Sequence, residues 1–120
     1  MSFGDKNLHI YNNYCEIKKS SNNWNLFPPL TYKIFTFLNS SEMLEVMSKK
    51  LRISKLFSDY GLHGGGWHMM GKNGKLNPHL DYANHPKINT QRKLNLIIFL
   101  TSGWKKSWGG ETSFYLKNLK

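Results

Sequence analysis

The sequence predicts an α+β fold, mostly β, arranged as a sandwich or jelly roll with helical support. Three observations carry that expectation. Residues 41–51 hold one amphipathic pattern of helical period. From Gly61 onward, glycine-rich turns separate short β-prone runs. Residues 93–100 form a continuous apolar run, branched and aromatic, of the kind that lies buried on both faces of a sheet. A helix followed by successive strands disfavours the alternating order of a βαβ nucleotide fold.

The elements follow in order. Residues 1–25 mix polar and aromatic groups without a period and are expected to form a loosely held N-terminal segment. After Pro28-Pro29, residues 32–38 (Tyr-Lys-Ile-Phe-Thr-Phe-Leu) are β-prone and predict a first strand. Asn39-Ser40-Ser41-Glu42 has the form of a capping box, and Met43, Met47 and Leu51 recur on one face, with Val46 beside them. These features predict the helix over 41–51. Residues 67–70 predict a strand, and Gly71-Lys72-Asn73-Gly74 a turn with a hairpin-type Asn-Gly signal. Residues 75–82 read as an extended stretch and 84–91 as a loop. The strand at 93–100 follows, then a Trp- and Gly-rich turn over 103–110 and a final strand at 111–116.

Composition narrows the function classes. The chain has 120 residues and a formal net charge of +10, from 17 basic and 7 acidic residues. Its longest apolar stretch, 96–100, is far short of the ~20 residues of a membrane span, and the N-terminus lacks a secretory h-region. A cytoplasmic location without membrane partners is therefore expected. The lone cysteine, Cys15, can form neither an internal disulfide nor a cysteine-based zinc cluster. Arg52 and Arg92 are the only arginines, and the lysines are scattered, which argues against a specific nucleic-acid face. A basic module that stacks single-stranded nucleic acid on Trp24, Trp67, Trp104 and Trp108 stands as an alternative from another class. Gly66–Lys72 matches the start of a phosphate-binding glycine loop, but Asn73 replaces the required hydroxyl residue and no helix is expected to follow.

His79-Leu80-Asp81 carries the candidate chemistry. In an extended chain, residues two apart share a face, so His79 and Asp81 project together with Cα atoms about 6.6 Å apart. An imidazole and a carboxylate so placed can supply two corners of the two-histidine, one-carboxylate triad that holds non-haem Fe(II).

The surrounding residues give the triplet a context. Gly71–Gly74, His79-Leu80-Asp81-Tyr82, His85-Pro86, the run Arg92–Leu100, Trp104 and Gly109-Gly110-Glu111-Thr112-Ser113-Phe114 stand in one collinear order. Together, over about residues 61–116, they resemble the Fe(II)- and 2-oxoglutarate-dependent dioxygenases, in particular the prolyl 4-hydroxylase-like branch. The resemblance implies a double-stranded β-helix, a jelly roll of ~8 strands, with the 41–51 helix in support. It implies that His79 and Asp81 are iron ligands. It places Asn95 and Phe99 on the inward face of a strand lining the 2-oxoglutarate pocket, and Met69 just before the turn that leads to the ligand strand. No catalytic residue beyond the metal ligands is implied. Arg92 opens the apolar strand and could pair with an acidic group.

The chain also departs from the family pattern. Met69 and Phe99 stand where tyrosines are frequent and have no hydroxyl to offer the oxoglutarate. Pro78 has no N–H, so the ligand strand is expected to begin there or to run at an edge. No histidine follows Glu111, where the third ligand is expected together with a basic residue for the distal carboxylate. His85 is expected to be structural, and His9, His63 and His68 to be solvent or packing residues. Roughly four or five strands are legible where closure needs about eight. One partial oxygenase domain is therefore expected over 1–120, with a supporting part at 1–60, the first part of the β-helix at 61–120, and the C-terminal strands missing. The intact family hydroxylates its substrate while 2-oxoglutarate is oxidatively decarboxylated, with ascorbate as reductant. The substrate, an amino-acid side chain, a glycan or a small metabolite, is not legible, and the fragment alone is expected to be inactive. A degenerate oxygenase fold kept for binding is a further alternative.

Overall fold

The computed structural model of the chain describes residues 8–115; Leu116, Lys117 and Lys120 lie outside the described residues. In chain order it contains β1 (His9–Asn12), β2 (Glu16–Ser21), α1 (Pro29–Leu38), α2 (Ser41–Leu51), β3 (Trp67–Met69) and β4 (Lys75–Leu76). Short 3-10 turns lie at Trp24–Leu26 and Lys106–Trp108. The fold is α+β with one antiparallel sheet, in which β2 pairs with β1 and β3 as well as with β4. The described residues divide into two compact units, 8–10 with 19–69 and 11–18 with 70–115. Among the described residues no helix is long and apolar enough to cross a membrane.

In the first unit, Lys19, Ser20 and Ser21 of β2 pair with Met69, His68 and Trp67 of β3. Gly66, just before β3, has φ 104°, and any Cβ there would collide with the Ser21 carbonyl oxygen. Glycine thus permits the close approach of the two strands. The core of the unit is small and aromatic. Phe27 is buried at 7% exposure, with its ring centroid 5.0 Å from Phe35 and 5.8 Å from Trp24. Trp24 meets the edges of Tyr32 and Phe35, and its indole N–H donates to the Tyr60 carbonyl at 2.7 Å.

That cluster explains why residues 32–38 form a helix instead of the expected strand. Pro29 sits at the first helical position, where a missing N–H costs nothing. Helical spacing turns Tyr32 and Phe35 to one side, onto Trp24. Packing on the tryptophan overrides the local β propensity. The helix at Ser41–Leu51 is as expected, although Ser40 is the capping residue, its Oγ accepting from the Met43 amide at 3.2 Å. Glu42 therefore lies in the first turn and not at the reciprocal position of a capping box. Hydrogen bonds from its own backbone N–H and from the Ser41 and Ser40 hydroxyls hold its carboxyl below the ordinary 4.5, and Lys49 does the same for Glu45 through an ion pair of 2.6 Å.

The N-terminal stretch is also more ordered than expected, since β1 and β2 form a hairpin. The Asn13 side chain closes it by accepting from the Cys15 and Glu16 amides at 2.8 and 3.0 Å. This side-chain turn creates a hairpin from residues that show no periodicity.

In the second unit, Glu16 and Ile17 of β2 pair with Leu76 and Lys75 of β4. The Asn77 amide adds one more bond, to the Cys15 carbonyl at 2.9 Å. The ladder stops there because its partner, β2, is preceded by the turn at Asn13–Glu16, so the expected extended stretch over 75–82 is a strand only at Lys75–Leu76. The turn at Gly71–Gly74 forms as expected. The Gly74 amide bonds to the Gly71 carbonyl at 2.8 Å, and Asn73 takes φ 63°, as the third residue of a type II turn must. It makes no hairpin, since β3 and β4 pair with β2 and not with each other.

Two further strands are corrected. Residues 93–100 join no ladder among the described residues, and Ile97, Phe99 and Leu100 are more than half exposed. An apolar run becomes a buried strand only between neighbours, and the described residues supply none. Residues 111–115 likewise form no strand. The turn before them is present: Gly109 and Gly110 have φ 68° and 85°, and the Trp104 indole donates to the Gly109 carbonyl at 3.0 Å.

Candidate metal centre

The candidate centre lies wholly in the second unit and is built on two backbone anchors. The first is Asn77. Its amide bonds to the Cys15 carbonyl, and its side-chain nitrogen donates to the Tyr14 carbonyl at 3.3 Å. Its own carbonyl faces His79 Nδ1 at 2.8 Å. Because a carbonyl only accepts, Nδ1 donates that bond, and Nε2 is the ring nitrogen left to face the site.

The second anchor is the 84–91 loop, whose ends are stitched together. The Arg92 amide bonds to the Ala83 carbonyl, and the His85 amide to the Thr90 carbonyl, each at 2.7 Å. Asn84 and Gln91 form the bridge between these bonds. His85 Nδ1 accepts from the Lys87 and Ile88 amides at 3.1 and 3.3 Å, shaping the loop as an aspartate or asparagine does in a turn. The expected structural role of His85 thus has a specific geometry.

These anchors bring three side chains around Asp81. Oδ1 lies 3.4 Å from His79 Nε2. Oδ2 accepts from Arg92 Nη1 at 2.8 Å and from Asn95 Nδ2 at 2.5 Å. The Arg92 guanidinium also lies over the Tyr82 ring, 4.8 Å from its centroid. Leu80, between the two candidate ligands, points the other way and is 97% exposed. The alternation predicted for an extended triplet holds locally without a strand. The pair does not sit in a closed cavity: the His79 and Asp81 side chains are 49% and 42% exposed.

The separation bears on metal binding. Two donors each about 2.1 Å from one ion stand about 3.0 Å apart at a right angle, and about 3.4 Å apart when the angle opens to about 108°. The 3.4 Å between His79 Nε2 and Asp81 Oδ1 is a separation that two donors of one ion can span. Among the described residues no group of three His, Cys, Asp or Glu comes together.

The remaining site residues are distributed more widely. Asn95 is at Asp81. Met69 belongs to β3 of the first unit, where it pairs with Lys19. Phe99 is 73% exposed. The sequence left the acidic partner of Arg92 unnamed and had no signal for the Tyr82 contact. In a regular strand, residues 92 and 95 project to opposite faces. Both reach one oxygen here because this segment is not a regular strand. Of the four tryptophans, Trp24 is part of the aromatic cluster, while Trp104 and Trp108 are exposed.

Residues 65–119, just under half of the chain, match the family model of the 2OG-Fe(II) oxygenase superfamily. Neither the curated proteins nor the solved structures yield a match. The matched span contains His79, Asp81, Arg92 and Asn95 and overlaps most of the stretch that carries the resemblance. It supports this superfamily, which implies oxidoreductase chemistry with Fe(II) and 2-oxoglutarate.

Proposed function

We propose that the chain carries the His-x-Asp part of a 2-oxoglutarate-dependent dioxygenase of the prolyl 4-hydroxylase-like branch, with His79 and Asp81 as iron ligands. The observation that carries this reading is the approach of His79 Nε2 to Asp81 Oδ1, 3.4 Å apart, each held from behind by its own hydrogen bonds. The bound iron supplies the oxidising chemistry that couples 2-oxoglutarate decarboxylation to hydroxylation.

The chain's own residues prepare that site. The Asn77 carbonyl accepts from Nδ1, so that Nε2 is the nitrogen His79 presents to a metal. The 84–91 loop sets Asp81 against the segment that starts at Arg92. The jelly roll, a hydroxylase activity on an amino-acid side chain, a glycan or a small metabolite, and ascorbate as reductant belong to this proposal.

The test is a titration of the full chain with Fe(II) under anaerobic conditions, followed by an oxoglutarate-decarboxylation assay with ascorbate. Saturable binding that His79→Ala and Asp81→Ala each abolish is expected. Turnover by the chain alone is not expected, because two side-chain ligands hold the ion one short of the triad. Binding unchanged in both variants overturns the assignment.

A further inference from the structure

We propose that Arg92 and Asn95 are positioning residues that make Asp81 a one-oxygen ligand, tying Oδ2 to the protein so that Oδ1 alone faces His79 Nε2. This rests on the reading of His79 and Asp81 as metal donors and adds the device that aims one of them.

A carboxylate can bind a cation through one oxygen or through both, and a half-exposed aspartate is free to rotate between the two. Here both protein donors converge on the same oxygen. Arg92 Nη1 and Asn95 Nδ2 reach Oδ2 at 2.8 and 2.5 Å, whereas Oδ1 faces only the imidazole. With two hydrogen bonds on Oδ2, its lone pairs are occupied and the carboxylate plane is fixed.

The donors are themselves braced. The Arg92 backbone bonds to Ala83, and its guanidinium stacks over Tyr82, the residue that follows Asp81. The Arg92 side chain is also less exposed than that of Asp81, 24% against 42%. A planar guanidinium held on a ring face is a rigid donor, which a lysine ammonium cannot reproduce. The charge of Arg92 opposes a nearby dication, whereas Asn95 is neutral. Asn95 therefore tests aim apart from charge, and Arg92→Lys tests it with charge retained.

The experiment uses the full chain and Mn(II), followed by the loss of the free-ion EPR signal. The Asp81 side-chain carboxyl 13C resonance of the metal-free protein is recorded in parallel. Asn95→Ala is expected to weaken Mn(II) binding about tenfold, the usual scale for loss of a partner behind a ligand. Arg92→Lys is expected to weaken it several-fold. In both variants the Asp81 resonance moves toward that of a free aspartate, while the melting temperature of the metal-free protein stays close to that of the parent. Parent-like Mn(II) affinity in both variants, or an unmoved Asp81 resonance, overturns the proposal. Should one variant fail to fold, the other decides. If His79→Ala and Asp81→Ala also leave Mn(II) binding unchanged, the ligand assignment itself has failed; if they abolish it while Asn95→Ala and Arg92→Lys do nothing, only the positioning role has.

Discussion

The Arg92 guanidinium lies 2.8 Å from Asp81 Oδ2 and at the same time covers the ring of Tyr82, so one side chain grips two consecutive residues. The ion pair is partly exposed, and solvent screening limits what it adds to folding. Asp81→Asn keeps the shape and removes the charge. We expect it to change unfolding free energy by no more than about 1 kcal/mol, measured by urea denaturation, while Mn(II) binding by the same variant falls at least tenfold. A large stability loss would assign the pair to the fold and not to the site.

His85 shapes the loop that delivers Arg92, through the bonds its Nδ1 accepts from Lys87 and Ile88. His85→Asn retains an acceptor near the same place and should preserve the loop; His85→Leu should not. Hydrogen exchange at the Lys87 and Ile88 amides is expected to accelerate in the leucine variant only. Mn(II) binding by His85→Asn should match that of the parent, since the His85 Nδ1 is engaged by the loop amides.

Helix α2 should be acid-sensitive. Glu42 and Glu45 both titrate below the ordinary 4.5, Glu42 chiefly through its own backbone N–H and Glu45 through Lys49. A carboxyl with a lowered folded value favours the folded state above its unfolded value, and that contribution is lost as pH falls through the folded one. Helicity in Glu42→Gln and Glu45→Gln should therefore depend less on pH below about 4.5 than in the parent, as followed by circular dichroism. Ser40→Ala, which removes the cap on the Met43 amide, should cost about 1 kcal/mol at neutral pH.

Phe27 is one of two buried apolar side chains among the described residues, the other being Leu62. With so small a core, losing the ring that joins Trp24 to Phe35 should be severe. Phe27→Ala is expected to cost about 3 kcal/mol or more, read from denaturation midpoints, and to release the tryptophan fluorescence of Trp24 toward that of an exposed indole.

Several of these features were legible from residue order alone. Helix α2 was, because a cap and a 3.6-residue apolar period agree over more than two turns. The turn at Gly71–Gly74 and the loop at 84–91 were, because Gly, Asn and Pro act through their own backbone restrictions. The convergence of His79 and Asp81 was also legible, since two residues on either side of one Cα share a face in any extended chain. The pairing of the 71–74 turn was not: Asn-Gly announces a reversal but not which strands it joins.

What tertiary structure decided is what depends on partners distant in sequence. Residues 32–38 have strand propensity and become helix α1 because Trp24 and Phe27 offer a surface at helical spacing. The apolar run at 93–100 has the composition of a central strand, yet stays outside any ladder among the described residues because hydrogen-bonding neighbours make a strand central. At the site, local alternation put an imidazole and a carboxylate on one side. Only the closed 84–91 loop could bring Arg92 and Asn95 to the same carboxylate oxygen, since the parity of a regular strand sets those two residues on opposite faces.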